Sequence, residues 1–147
     1  GFGQLGEYLY LTAHNTYMLA LAELGLPGLF LFSMLVYVST KIPFLALRRY
    51  SNGGGRVLGE HEKSMRAWAM GLLAAFVGLG VGIFFLSFTY HYVLWIYMGL
   101  SGALYLAARR HDPEFRVRVG YRDLLLVGGA NVVLVLGMYG LTRAMLG

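Results

Sequence analysis

An all-α fold, specifically a polytopic transmembrane bundle of about four helices, is what this 147-residue chain predicts, and three observations predict it. The first is composition. Hydrophobic residues make up 58% of the chain and charged residues 13%, with a mean hydropathy of +0.62, whereas soluble domains carry about 25% charged residues. A small domain leaves much of its surface wet, so a chain this short and this apolar cannot hide the surplus in one core. The second is the presence of four long apolar stretches. The third is the segregation of charge into two of the segments between them.

The stretches cover residues 17–47 (cleanest over 24–38), 67–88, 92–108 and 124–145. About 20 apolar residues in a helix cross the hydrocarbon core, so each is long enough. None alternates polar with apolar residues as a half-buried strand does, and an open sheet in lipid would leave edges unpaired. The expected organisation is an outer loop segment over 1–16 and a membrane region over 17–147.

Of the 12 Lys and Arg residues, all but Arg143 fall in two places. Lys41, Arg48, Arg49, Arg56, Lys63 and Arg66 surround the first connection, and Arg109, Arg110, Arg116, Arg118 and Arg122 the third. The segment 1–16 carries only Glu7, and Thr89, Tyr90 and His91 include no Lys or Arg. Short basic loops stay cytoplasmic, so the N-terminal segment and the His91 turn are expected outside. The net charge of +5 is thus an orientation signal. Glu60, Glu62, Asp112 and Glu114 interrupt the basic loops, and no nucleic-acid partner is expected.

Other features have structural readings. With no cysteine, disulfides and thiolate metal sites are excluded, and neither metal nor cofactor is expected. Asn52-Gly53-Gly54-Gly55 reads as a flexible turn. Ala74, Gly78 and Gly82, and likewise Gly99, Ala103 and Ala107, are spaced four apart and predict smooth faces for helix packing. Trp68, Tyr90, Tyr92, Trp95 and Tyr121 fall near predicted helix ends, as interfacial aromatics do. Residues 1–6 fit G-x-G-x-x-G, but no βαβ unit follows and the match carries no nucleotide site. Gly1 is not an initiator Met, and the chain is expected to be the C-terminal part of something longer, or a processed or truncated product.

The informative stretch is 12–32, TAHNTYMLALAELGLPGLFLF. It places His14 and Asn15 on the outer face, where a helix enters the membrane, with Thr12 or Asn15 able to cap that helix. Glu23 lies at the start of the strongly apolar run, and Pro27 between Gly25 and Gly28 invites a kink. An ionisable group near membrane depth is costly and marks a candidate site. A histidine with a pKa near its usual ~6.5 can accept a proton at neutral pH. The alternative is that His14 and Tyr17 are interface residues and Glu23 is solvated near the headgroups.

His14-Asn15-x-Tyr17, followed by an apolar run and then Glu23-x-Gly25-x-x-Gly28-Leu29, resembles the signature of the O-antigen ligase and O-antigen polymerase family, roughly H-N-x-Y-L…E-x-G-x-x-G-L. Met18 stands where the family has its first Leu. Residues 92–100, YVLWIYMGL, are similar to a late-helix run of the same family, and the resemblance covers about residues 1–106. It implies that this is the C-terminal portion of a larger, multi-helix, metal-independent inverting glycosyltransferase in the bacterial inner membrane, with the His14 loop facing the periplasm. The implied partners are a polyprenyl-diphosphate-linked glycan, an acceptor hydroxyl on lipid A-core, a growing glycan or a protein, membrane lipid, and N-terminal helices of the same protein. His14 is the implied catalytic residue, with Asn15, Tyr17 and Glu23 binding substrate or supporting it. Two departures stand out. The family's phosphate-binding arginines lie in earlier outward loops, and only Arg143 lies near an outer helix end here. Three helices are expected after the histidine loop, and the run over 124–145 would be an additional element. A non-catalytic transport or accessory module, or a structural helical unit, is the alternative.

Overall fold

The computed structural model describes residues 16–51, 58–85 and 92–146. All regular structure among them is helical, in four helices: α1, Thr16–Arg49; α2, Glu60–Phe85; α3, Tyr92–His111; and α4, Tyr121–Leu146. The four apolar runs thus become the four helices. The segments 1–15, 52–57 and 86–91, which hold the glycine-rich turn and His91, lie outside the described residues.

α2 starts seven residues before the apolar run, and its start has a polar cause. The Gly59 N–H donates to Glu62 Oε2 at 3.0 Å, and Lys63 N–H donates to the Gly59 carbonyl at 3.0 Å. A carboxylate three residues into a helix that reaches back to the cap satisfies a backbone donor without an intrahelical partner and complements the helix dipole. α4 repeats the device, with Gly120 N–H donating to Asp123 Oδ2 at 2.8 Å. Hydrophobicity alone misses both starts because the first turn is polar.

α1 is two helical segments joined at Gly25, whose backbone takes φ 68° and ψ −171°. That φ is strained for any residue with a Cβ. Pro27, two residues on, has no N–H to continue the upstream ladder. Gly28 fits a second demand, since a Cβ there would stand 2.1 Å from Leu24 Cβ. The kink expected from Gly25-Leu26-Pro27-Gly28 is therefore present, with Gly25 as its pivot. Pro43, deeper in α1, is buried without a comparable break.

α1 is the hub. It packs against all three other helices, α2 and α3 also pack together, and α4 touches α1 alone among the described elements. Near the C-terminal end of α1, Ala46 and Tyr50 cluster with Met65, Ala69, Leu104 and Ala108. Nearer its N-terminal half, Phe32 meets Leu94 and Met98, with Leu79 against them. These pairings run α3 parallel to α1 and α2 antiparallel to both. Contacts of Ser33 with Asn131 and of Lys41 with Asp123 run α4 antiparallel to α1. The ends of α1 and α3 and the starts of α2 and α4 therefore share one end of the bundle, with Arg48, Arg49, Lys63, Arg66, Arg109 and Arg110.

Most of the small residues expected to pack face away from the other described helices. Ala74, Gly78, Gly99 and Ala103 are exposed, and a Cβ on Gly78 or Gly99 would meet nothing within 4 Å. The buried stripe of α2 is Met65, Ala69, Leu72 and Phe76 and that of α3 is Leu94, Met98, Ser101, Leu104 and Ala108. At 3.6 residues per turn these lie on roughly the opposite sides of their helices. The interior stripes mix Leu, Met and Phe with Ala69, Ser101 and Ala108, and Ala107 is the member of the expected faces that reaches the cluster, half-buried against it.

Two helical stretches, Glu23–Arg49 and Glu60–Val81, are long and apolar enough to cross a membrane. Much of the apolar surface points outward. Leu24, Leu26, Leu31, Val77 and Val81 are exposed, as are Leu125, Leu126, Val132, Val133 and Leu136 of α4.

Candidate functional site

The residues expected to form a site belong to the start of α1. His14 and Asn15 lie outside the described residues, and Tyr17 is in the first turn of α1 with its side chain also outside them. Glu23 is exposed and stands two residues before the Gly25 pivot. Six residues separate it from Tyr17, which is about 9 Å along the helix axis and about 120° around it. They sit on different faces of one short segment. The antiparallel α4 brings Arg143, in its last turn, to this same end of the bundle. Among the described residues no group of three or more His, Asp or Glu side chains is placed to hold a metal ion.

The helix break has a consequence for this end. The segment 16–24 is released from the direction of the long helix, a short arm before the break at Gly25. The left-handed backbone at Gly25 and the missing N–H of Pro27 make that break.

Two polar clusters were not expected from the sequence. The first is a seam between α1 and α4. Ser33 Oγ donates to Asn131 Oδ1 at 2.8 Å, Tyr37 Oη donates to Asp123 Oδ1, and Lys41 Nζ donates to Asp123 Oδ1 at 2.6 Å and to the Arg118 carbonyl at 3.0 Å. Ser33, Tyr37 and Lys41 recur every four residues, which puts them on one stripe of α1. That periodicity was visible in the sequence, but nothing in it named the partners. Asn131 Nδ2 is buried and without a hydrogen-bond partner among the described residues.

The second cluster is at the charged end, where a cavity of about 400 Å³ is lined by Arg49, Tyr50, Glu62, His111, Asp112 and Pro113. Arg49 Nε donates to Asp112 Oδ2 at 2.8 Å, and Arg49 also stands 3.7 Å from Glu114. Asp112 closes its own turn by accepting from the Glu114 N–H at 3.1 Å. The Arg49 hydrogen bond, helped by that backbone donor, holds the Asp112 carboxyl below the usual carboxylate range. The His61 and His111 rings lie 4.6 Å apart. Tyr50 is 3% exposed, and its Oη is buried with no partner among the described residues.

No protein-family model, no curated protein and no solved structure matches this chain.

Proposed function

We propose that this chain is the C-terminal, membrane-spanning portion of a glycan ligase or polymerase of the O-antigen type, with all four helices crossing the bilayer and the His14 end outside. The motif His14-Asn15-x-Tyr17…Glu23-x-Gly25-x-x-Gly28-Leu29 carries this reading. The geometry of that motif supports it, because its two glycines answer separate backbone demands, a left-handed φ at Gly25 and close approach at Gly28. Four spans are supported by the outward-facing Leu and Val side chains of all four helices, since soluble proteins rarely expose apolar patches of such extent. The orientation rests on the basic end of the bundle.

In this reading the reaction is substitution at an anomeric carbon. The attacking group is an acceptor hydroxyl, and the leaving group is the polyprenyl diphosphate. The bond from anomeric carbon to phosphate oxygen breaks as the new glycosidic bond forms, and the hydroxyl proton goes to a base. A neutral His14 imidazole at the membrane surface takes that proton. Asn15 binds sugar hydroxyls or holds the loop, and Glu23, just before the Gly25 pivot, orients the arm. Cations for the leaving diphosphate come from preceding outward loops, because preorganised charge usually supplies the largest share of such stabilisation.

The test is His14→Ala in the full reading frame, with product formation normalised to folded, membrane-inserted protein. A fall of roughly 10²–10⁴-fold, the usual contribution of a general base, is expected with membrane abundance unchanged. Normalised activity within a factor of about three of the parent overturns the assignment, that factor lying far below the contribution of a general base.

A further inference from the structure

The outer face between α2 and α3 carries a groove that no described helix covers, because α4 packs on α1 alone. Its main cavity, of about 490 Å³, is lined by Ala67, Trp68, Gly71 and Ala75 of α2 and Leu100 of α3, among others. A second, of about 250 Å³, shares Ser64, Trp68 and Leu100 and extends to Ala103 and Ala107. From Ser64 to Ala75 the groove runs about 16 Å along α2 at 1.5 Å per residue. That is about half of the ~30 Å hydrocarbon core, the depth of a single leaflet.

One helical turn beyond Ser64 and Ala107, toward the charged end, stand His61 and His111, whose rings are 4.6 Å apart. His111 then lines the polar cavity with Arg49, Tyr50, Glu62 and Asp112. Apolar groove and polar cavity thus follow each other along α3, with the histidine pair between them. The cavity holds both signs of charge and a donor without a partner among the described residues, the Tyr50 hydroxyl, on a side chain 3% exposed.

We infer that this composite site binds a zwitterionic, ethanolamine-type phospholipid of the basic-side leaflet, one acyl chain lying in the α2–α3 groove and the headgroup in the cavity. The inference rests on the membrane reading above. A phosphate oxygen accepts from Tyr50 Oη and from an imidazole N–H, and the ammonium lies among the Glu62 and Asp112 carboxylates. Those carboxylates argue against a purely anionic headgroup, and a protein helix or second copy in the groove would leave the Tyr50 donor unmet. Gly71 and the alanines keep the groove open, since a Cβ on Gly71 would meet nothing within 4 Å.

Trp68 is 59% exposed in the groove, and the chain has 2 tryptophans, so Trp95→Phe leaves a reporter in place. The full chain is reconstituted in lipid nanodiscs containing phosphatidylethanolamine or phosphatidylglycerol with brominated acyl chains at equal mole fraction. Brominated phosphatidylethanolamine is expected to quench Trp68 about threefold to tenfold more effectively, as one or two buried hydrogen bonds allow. Tyr50→Phe removes a hydroxyl with no partner among the described residues, so it is expected to fold normally and erase most of the preference. Gly71→Leu, which fills the groove, is expected to reduce quenching by both lipids. Equal quenching by the two lipids, or a preference that survives both Tyr50→Phe and His111→Ala, overturns the site while leaving the membrane reading intact. If Trp95 is quenched in a Trp68→Phe chain but Trp68 is not quenched in its own, a protein element covers the groove and the inference fails. Absence of quenching at both positions overturns the membrane reading itself.

Discussion

On one side of α1, Phe32, Ala46 and Tyr50 meet α2 and α3 through Leu94, Met98, Met65, Ala69 and Ala108, all apolar. On the other, Ser33, Tyr37 and Lys41 meet α4 through Asn131, Asp123 and the Arg118 carbonyl. The first interface is dense and buries two clusters, and Ser101 joins it by donating to the Ser39 carbonyl. The second buries Val127 as its main apolar side chain on α4, which turns most of its Leu and Val residues outward. In the proposed membrane setting the hydrophobic effect gives helices no reason to associate, so close packing and interhelical hydrogen bonds would do it. The comparison teaches that the same helix uses shape to hold two neighbours and discrete polar pairs to hold the third. A helix held that way has a defined register but little contact area, and α4 is expected to be the first to leave.

The largest effect expected from breaking that contrast is on the packed side. Leu94 is fully buried, and Leu94→Ala is expected to cost roughly 2–5 kcal/mol through lost contacts and a residual cavity. Unfolding in mixed detergent micelles checks this, and a change within error would mean that the α1–α3 interface is not the stable one.

Next comes the pivot. Gly25→Ala forces a side chain into a left-handed backbone and is expected to cost about 1–2 kcal/mol. Because both interfaces lie beyond Gly25, the loss is expected to show as a change in amide exchange confined to residues 16–28. Exchange that rises equally along α2, α3 and α4 would show that the pivot is coupled to the whole bundle.

A smaller loss is expected at the seam. Single hydrogen bonds between membrane helices average about 0.6 kcal/mol, and Ser33→Ala should lose about that much while accelerating exchange in α4 alone. Equal acceleration in α2 and α3 would erase the distinction between the two interfaces.

The smallest effect concerns pH. The Asp112 carboxyl is held below its ordinary range by Arg49, so the tie between the ends of α1 and α3 is fully present above the ordinary carboxylate value. It is lost only as pH falls through the depressed folded value. Stability is therefore expected to be flat from about pH 8 to about pH 5, above the ordinary carboxylate value of ~3.9, and to fall below that window. Asp112→Asn should lessen the fall on the acid side, the Lys41–Asp123 pair keeping its own share, as titration curves of the two proteins would show. A parent chain that loses stability already between pH 7 and 6 would show that the Arg49–Asp112 tie does not set the acid side.

Of the expected site, the sequence made the motif and the break after Glu23 legible, and the structure describes Glu23 and that break, with Gly25 as its pivot, while His14 and Asn15 lie outside the described residues. Tyr17 and Glu23 could be placed on one helical segment from spacing alone. The small-residue faces show where such reasoning stops. Spacing correctly put Ala74 with Gly78, and Gly99 with Ala103, on common stripes, yet those stripes face outward. Periodicity says which residues share a face and is silent about which face finds a partner.

The sequence by itself determined four helices, the basic end they share, and a break near Gly25. These follow from local physics: backbone hydrogen bonds four residues apart, the φ that proline and glycine allow, and the cost of charge in an apolar run. Only the tertiary structure decided that α1 is the hub, that α4 docks through polar groups, and that Tyr50 and His111 meet at one cavity. Those outcomes depend on pairs far apart in the chain. Ser33 and Asn131 are 98 residues apart and Arg49 and Asp112 are 63 apart. No local rule selects such partners, because each polar group could have paired elsewhere until the packing of the helices settled which faces met.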